Sequence, residues 1–350
     1  MNKLTTFADF CAGIGGFRIA AEQHGLQCVA TSEINDDCIA TYNENFGASE
    51  KISDVTSLDQ TKLPDFDLLC AGFPCQPYSI AGKKLGLLDD RSGVLQKLIQ
   101  IVSLKKPKAL LLENVENFKS FQDGTLLAST LKEITALGYA VFSGVLDSAK
   151  FGVPQQRRRL FIVAFRNDLA VKNFHFPHGD KTTSPFRNFI ASNDFSIPIS
   201  KKWEQYIDLY SGSKRLDELD FLPPKTRLSL ERADIGLDLT DCIFQMRSSG
   251  IRALSIDKPL PTFAVSISGG GAMIPVYSKE RRHLNLTEMK RLMGFPDDFK
   301  FPVSRTSAVK QLANAVTPPV IHSIINQMIL AMRHEDNAEP DHQYSLELAQ

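Results

Sequence analysis

Three groups of residues have the types and neighbours for chemistry. Cys75 sits in Gly72-Phe73-Pro74-Cys75-Gln76-Pro77-Tyr78-Ser79, directly after a short apolar run at 66–71. A lone cysteine is most often a small buried hydrophobe. Here prolines flank it on both sides, and each fixes φ and removes a backbone donor. A stiff loop at the end of a strand suits a nucleophile that must attack in one geometry. Glu113 opens Glu113-Asn114-Val115 after the wholly apolar run 109–112. A carboxylate there is costly unless it is paired or working; the plain alternative is a helix-capping partner. Gln155-Gln156-Arg157-Arg158-Arg159 precedes the apolar run 160–165. In an extended segment Gln155, Arg157 and Arg159 share one face. An arginine there can anchor a base, a phosphate or the glutamate, or simply begin a solvated strand.

A second set of residues suits a ligand rather than a reaction. Asp9-Phe10-Cys11-Ala12-Gly13-Ile14-Gly15-Gly16-Phe17 reads as a strand, a glycine-rich turn and a helix start. Such a turn lets backbone approach a nucleotide-like ligand closely. The dinucleotide fingerprint needs a further glycine where Arg18 stands. An adenosine ligand without a pyrophosphate therefore fits better than NAD. Taken alone, the motif is equally a tight turn. Glu33 follows the next apolar run and can accept from both ribose hydroxyls. Asp54 follows a third segment and can reach an adenine amino group. Each acid alone reads as a solvated loop residue; together they point into one crevice.

These residues need a scaffold that brings strand ends together. Apolar runs at 4–10, 26–32, 66–71, 108–113, 139–146 and 160–165 predict strands. Helical patterning at 36–46, 94–103 and 126–137 alternates with them. That alternation predicts an α/β fold, with a parallel sheet covered on both faces and ligands at the strands' carboxyl ends. From about 171 to 279 the rhythm is lost, and a second, irregular domain is expected. Helical patterning returns at 286–293 and 319–332. The boundaries expected are 1–185 for a catalytic and cofactor-binding domain, 186–284 for a second domain, 285–334 for a return to the first, and 335–350 for a disordered tail.

Composition permits several partners and selects none. Of 350 residues, 43% are hydrophobic and 23% charged, as in ordinary globular chains. No unbroken apolar run approaches the roughly 18 residues that span a bilayer, and Met1–Phe10 lacks a signal-peptide core. Six scattered cysteines without a Cys-x-x-Cys pair suit a reducing cytosol and suggest no zinc site. A cytoplasmic location and no metal are expected. The net charge is zero, but the segment after His334 holds five acids and no base. The remaining body has 40 basic residues against 35 acidic ones. DNA binding needs a local positive face, not a high overall pI.

The order of these blocks resembles the DNA cytosine-5 methyltransferase family of bacterial restriction–modification systems. The resemblance runs from Phe7 to about Met332 and is weakest between Val171 and Lys279. Its blocks are the glycine-rich turn, Glu33, Asp54, Pro74-Cys75-Gln76, Glu113-Asn114-Val115 and Gln155-x-Arg157-x-Arg159. They continue with Leu286-Thr287-Glu288, Arg291-Leu292-Met293-Gly294-Phe295-Pro296 and Gln311-Leu312-Ala313-Asn314-Ala315-Val316. The resemblance implies a Rossmann-like S-adenosylmethionine-dependent methyltransferase domain, its sheet mixed but mostly parallel, with a smaller target-recognition domain inserted. It implies S-adenosylmethionine as cofactor and S-adenosylhomocysteine as product. Phe10, Gly13, Gly15, Glu33, Asp54, Pro74, Leu95, Asn314 and Val316 would form the cofactor pocket. Two positions depart from some relatives, which carry an aromatic at Cys11 and a tryptophan at Ile34 to stack on the adenine.

The same resemblance implies a mechanism and partners. Cys75 would attack carbon 6 of cytosine as the thiolate. Glu113, protonated, would hydrogen-bond ring N3. Arg159 would hold the base's carbonyl oxygen, with Gln155 assisting. The base must leave the stack for the thiol to reach its face, and Gly82-Lys83-Lys84-Leu85-Gly86 reads as a loop able to close over it. The partner expected is double-stranded DNA with a flipped cytosine, bound by a monomer associated with the nucleoid. A cognate endonuclease acting on the same site is possible, as is an orphan role. Specificity is expected between about 186 and 283, where Arg187, Arg215, Arg227, Arg232, Arg247 and Arg252 can contact phosphates or guanine edges. Ser268-Gly269-Gly270-Gly271 would let backbone approach the DNA.

Three rivals fit less well. A tRNA cytosine-5 methyltransferase would carry Cys-Phe-Thr where this chain has Cys242-Ile243-Phe244. A catalytically dead DNA-binding homologue would not keep Cys75, Glu113 and Arg159. A nicotinamide oxidoreductase is opposed by Arg18.

Overall fold

The structure is a computed structural model that describes residues 3–47, 53–74, 92–180, 182–191, 197–247, 249–262 and 274–333. The first strands are β1 (Thr6–Phe10), β2 (Gln27–Ser32), β3 (Leu68–Gly72) and β4 (Ala109–Val115). They are followed by β5 (Tyr139–Asp147), β6 (Gln155–Gln156) and β7 (Arg158–Arg166). Six of them form one sheet in the order β2-β1-β3-β4-β7-β5. Pairings from β2 through β4 are parallel, and β7 runs antiparallel to both β4 and β5. Mostly parallel strands must be covered on both faces. Successive residues of β1 and β4 accordingly enter opposite apolar cores, Phe7 and Leu111 on one side and Ala8 and Leu112 on the other.

Helices α1 (Gly16–Gln23), α2 (Asp36–Phe46), α3 (Ser92–Lys105) and α4 (Thr125–Ala136) connect these strands. Leu98 and Ile101 of α3 and Leu127 and Ile134 of α4 cover one face. Phe17, Ala20 and Ala21 of α1 cover the other, together with a helix from the far end of the chain. Asn35 caps α2 by accepting from the Cys38 amide, and Gly47 ends it in the left-handed region.

The segment without sequence rhythm carries a sheet of its own. Its elements are β8 (Ile197–Pro198), α5 (Lys201–Ser211), α6 (Lys225–Leu228), β9 (Leu230–Arg232), β10 (Cys242–Arg247) and β11 (Gly250–Ser255). Then come β12 (Leu260–Pro261), β13 (Val276–Tyr277) and β14 (Arg282–His283). The second sheet runs β8-β14-β13-β10-β11-β9. Its strands are two to six residues long, too short for periodicity to show in sequence. Helix α5 had clearer signals: Ser200 caps it and Gly212 ends it. Trp203, Tyr206, Ile207 and Tyr210 of α5 pack on Phe244 and Ala253 to make a separate small core. The expected loop Ser268–Gly271 and the tail after Arg333 lie outside the described residues.

The chain then returns through α7 (Leu286–Met293), α8 (Arg305–Asn314) and α9 (Pro318–Met332). By length and composition, Arg305–Met332 is apolar enough to cross a membrane. It is broken between Asn314 and Pro318, and α9 buries Val320, Ile321, Ile324, Ile325 and Met328 against α1 and the sheet. Several contacts join the domains, two of them extended. Strand β12 pairs in parallel with β6, setting Leu260 beside Gln155. A shared core unites Ile14 of the glycine-rich turn, Ile243 and Leu254 of the second sheet, and Met289 and Leu292 of α7.

A buried ion pair crosses the same junction. Arg282 of β14 donates through Nη2 to Glu288 Oε1 at 2.7 Å and through Nη1 to Oε2 at 2.8 Å, with side chains 4% and 0% exposed. Glu288 also completes the cap of α7 with Asn285. Without Glu288 the buried Arg282 would keep only the part-exposed Glu280 as ionic partner, and breaking a buried pair costs about 3–5 kcal/mol. Glu288→Ala should therefore lower unfolding stability by about that amount in urea titration. A change under about 1 kcal/mol would place the junction's stability elsewhere.

Candidate active site

The carboxyl end of the first sheet gathers the residues singled out by type and spacing. In register, Gly72 of β3 lies opposite Glu113 of β4, and Val115 lies opposite Arg159 of β7. Two residues along a strand return to the same face, so Glu113 and Arg159 meet diagonally. Arg159 Nε lies 3.1 Å from Glu113 Oε1. A Cβ on Gly72 would stand 3.6 Å from Glu113 Oε2, 3.7 Å from Phe17 and 3.8 Å from Val316, ordinary contact distances that place all three around one spot.

Burial pushes the Glu113 carboxyl above its ordinary range; Arg159, then Arg157, pull it partly back. The neighbouring Asn114 is buried and donates from Nδ2 to the Phe73 carbonyl at 3.2 Å. That bond and the edge-on Phe73–Phe118 contact fix the start of the loop leading to Pro74. Asn114 had no role assigned from sequence; its signal was its place immediately after Glu113. Cys75 itself and the segment 82–86 lie outside the described residues.

Alternation along β6 and β7 is as the spacing predicts. Gln155, Arg157 and Arg159 turn inward, whereas Gln156 and Arg158 are exposed. Gln155 is wholly buried, and neither amide atom has a hydrogen-bond partner among the described residues. Arg159 Nη1 donates to the Arg158 carbonyl. Arg157 donates from Nη2 to the Ala315 carbonyl at 2.8 Å. It thereby ties this strand to the segment Asn314-Ala315-Val316, a link that sequence order conceals.

The ligand crevice lies one strand over. At Gly13 φ is +56° and at Gly15 +85°, and a Cβ on Gly15 would strike Phe46 at 2.3 Å. Only glycine serves at Gly15. Gly16 is equally constrained, because a Cβ there would lie 2.7 Å from Val316. Around Gly13 no atom lies within 4 Å of such a Cβ, so the turn is open on that side. The Gly13 amide donates to Glu33 Oε2 at 2.7 Å, and the Ile34 and Asn35 amides donate to Oε1. A carboxylate has about four acceptor sites, which leaves Glu33 one for a ligand hydroxyl.

Asp54 caps a short turn, accepting from the Thr56 amide and hydroxyl at 2.9 and 2.7 Å. The Glu33 amide donates to the Ser53 carbonyl, so Asp54 stands beside the β2 end. Phe10 and Leu95 are buried together in the core below. Pro74 is half-buried and Asn314 exposed. Cys11 adopts φ +53° and donates its amide to Ser32 Oγ. Ile34 is 71% exposed at the rim, an apolar face that a flat ring would cover. Acceptor, open turn and uncovered apolar rim fit an adenosine-containing cofactor.

Known proteins agree with this architecture. The family profile described as C-5 cytosine-specific DNA methylase matches residues 5–330. Type II methyltransferase M.BsuFI of Bacillus subtilis is 35% identical over 323 residues, covering 92% of this chain and 72% of that protein. Type II methyltransferase M.HhaI of Haemophilus parahaemolyticus is 33% identical over 319 residues, covering 91% of this chain and 92% of that one. Among solved structures, the Entamoeba histolytica methyltransferase EhMeth has a TM-score of 0.63 at 18% identity, covering 95% of this chain and 100% of its own. The S. pombe Dnmt2 methyltransferase has a TM-score of 0.62 at 18% identity, covering 95% and 100%. At that identity the structures show a shared fold. The profile over nearly the whole chain and relatives above 30% identity show more: the chain belongs to the C-5 cytosine-specific DNA methylases, which methylate cytosine in DNA with S-adenosylmethionine.

Proposed function

We propose that this DNA cytosine-5 methyltransferase works through Cys75, Glu113, Arg159 and Gln155 on a cytosine flipped from the duplex. The observation that carries the reading is the Glu113 carboxyl, only 12% exposed, held by Arg159 and biased toward its neutral form, at the carboxyl end of the strand beside the one that leads into Pro74-Cys75. The Cys75 thiolate adds to carbon 6 of the ring, forming an S–C bond and breaking aromaticity. Glu113 donates its proton to N3, where negative charge would otherwise build. Carbon 5 is then enamine-like and nucleophilic. S-adenosylmethionine, when bound, supplies an electrophilic methyl group. Transfer of the carbon 5 proton to a general base, such as solvent water, re-forms the 5,6 double bond and expels the thiolate, and the N3 proton returns to Glu113. Arg159 uses Nε on Glu113 and Nη1 on a backbone carbonyl; Nη2 is the donor we assign to the base's carbonyl oxygen. The unpartnered amide of Gln155 fits a second contact to the base.

Glu33 would hold the cofactor ribose and Asp54 the adenine amino group. Phe10, Gly13, Gly15, Pro74, Leu95, Asn314 and Val316 would line the pocket. Residues 1–185 and 285–334 would form the catalytic domain, and 186–284 the target-recognition domain. The names of the relatives support a modification enzyme of a type II restriction–modification system; we propose that it acts as a cytoplasmic monomer, with or without a cognate endonuclease. Bisulfite sequencing of DNA from cells expressing the protein tests the activity and reports the methylated word.

Cys75→Ser should abolish methyl transfer while leaving cofactor binding nearly intact. Duplex containing 5-fluorocytosine should trap a covalent complex, because fluorine cannot leave as a cation. Wild-type rates in Cys75→Ser would remove the nucleophile assignment.

A second expectation concerns pH. The neutral form of Glu113 is the working one, so the rate should fall as pH rises through its elevated pKa. Glu113→Gln should slow single-turnover methylation by about 10²–10⁴-fold and lose that alkaline limb. An unchanged rate or an unchanged limb would exclude Glu113 as the acid.

The cofactor crevice is tested by calorimetry. Glu33→Ala and Asp54→Ala should each weaken S-adenosylmethionine binding by about 1–3 kcal/mol. The larger loss is expected at Glu33, which also anchors three backbone amides of the turn. Unchanged affinity in both variants would move the cofactor elsewhere.

A further inference from the structure

Of the six arginines that composition offers for DNA reading, four are ion-paired within the domain and one braces its backbone. Arg187 pairs with Asp257 and Asp241, and Arg215 with Asp217. Arg227 donates to the backbone carbonyls of Arg247 and Gly250. Arg247 and Arg252 share Glu231. Arg232 has no ion pair among the described residues, but strand alternation turns it away from the Glu231 face.

The Glu231 group is set apart by where it lies. Along β10, Cys242 and Phe244 pack toward α5, whereas Ile243 faces the core shared with the glycine-rich turn and α7. Gln245 and Arg247 follow Ile243 on that same face. On β11, Leu254 lies opposite Ile243 and Arg252 opposite Gln245; on β9, Glu231 lies opposite Arg252. The apolar face that joins the two domains therefore continues outward as a polar row. Its inner end leads through β11 to Leu260, beside Gln155.

We infer that Arg247, oriented by Glu231, reads a guanine of the recognised word, with Arg252 and Gln245 beside it. The inference rests on the reading of 186–284 as the target-recognition domain. Glu231 Oε1 accepts from Arg252 Nε and Nη2, and Oε2 accepts from Arg247 Nη1 at 2.7 Å. Arg252 thus has its side edge occupied, while Arg247 keeps Nε and Nη2 without partners among the described residues. Those two donors form the fork that matches O6 and N7 of guanine in the major groove.

The backbone beneath Arg247 is braced. Arg227 Nη1 holds the Arg247 carbonyl at 2.8 Å, and the Arg227 carbonyl is held by the Tyr210 hydroxyl. A Cβ on Gly250 would lie 2.8 Å from the Ser229 carbonyl, so β11 starts tight against its support. A braced backbone lowers the ordering cost of a contact. The ion pair is 45% and 50% exposed, and such wet pairs add little to stability. Folding alone gives little reason for it.

The test uses the full-length enzyme on a pool of duplexes carrying its word and every single-base variant, read by bisulfite sequencing. Arg247→Ala should reduce discrimination at one guanine position by about 5- to 150-fold and leave other positions within about twofold. Glu231→Gln should relax the same position by less. S-adenosylmethionine affinity, measured by calorimetry, should match wild type and confirm folding. A uniform fall across all sequences would make Arg247 a phosphate contact and overturn the inference; an unchanged profile would overturn it as well. Failure of the wider reading would look different: grafting 186–284 onto a relative with another word would leave that relative's word unchanged.

Discussion

A carboxyl group must be kept short of water without being locked in its charged form, and the first sheet is arranged around that constraint. Glu113 follows four buried strand residues, so desolvation favours the neutral acid. Arg159 counters it from 3.1 Å and keeps the group oriented. Gly72 lies on one flank, and Val316 closes over the same spot. Were the closure missing, water would enter and the pKa would relax toward its ordinary range.

That closure comes from the far end of the chain. Val316 lies against Gly16 and near Gly72, and its position depends on Arg157 holding the Ala315 carbonyl. The prolines at 318 and 319 then start α9, where fixed φ and a missing donor cost nothing. Helix α9 buries its apolar side on α1, whose first residues are the glycine-rich turn. The glycine-rich turn, Glu113 and the last helix are therefore one packing unit, although about 300 positions separate the first from the last.

Much of this was legible in the sequence, for identifiable reasons. Long buried strands announce themselves as apolar runs, and every predicted strand of the first sheet appears within a few residues of its expected place. The alternation in Gln155-x-Arg157-x-Arg159 predicted which side chains turn inward. What stayed hidden was long-range: the Arg157–Ala315 bond and the β6–β12 pairing have no local signature. Strands of two residues carry too few positions to show a period, so the second sheet read as irregular. Six arginines looked equivalent in composition. Only their partners separate Arg187, neutralised by two aspartates, from Arg247, which keeps two donors of its fork.

The two domains treat polar groups in opposite ways, and chemistry explains the difference. In the first, Gln155 is wholly buried with no hydrogen-bond partner among the described residues, and Glu113, only 12% exposed, has Arg159 as its ion-pair partner. Such groups are costly in the free protein, and the cost can be offset by a base that satisfies them. In the second, the polar row is wet and internally paired. A surface that reads DNA, as we propose for this row, must be solvated between encounters, because an uncompensated buried arginine would destabilise a domain with so small a core. The two needs conflict within a single core. Placing them on separate sheets, joined by the apolar contact of Ile14, Ile243 and Met289, lets each side chain keep the environment its task requires.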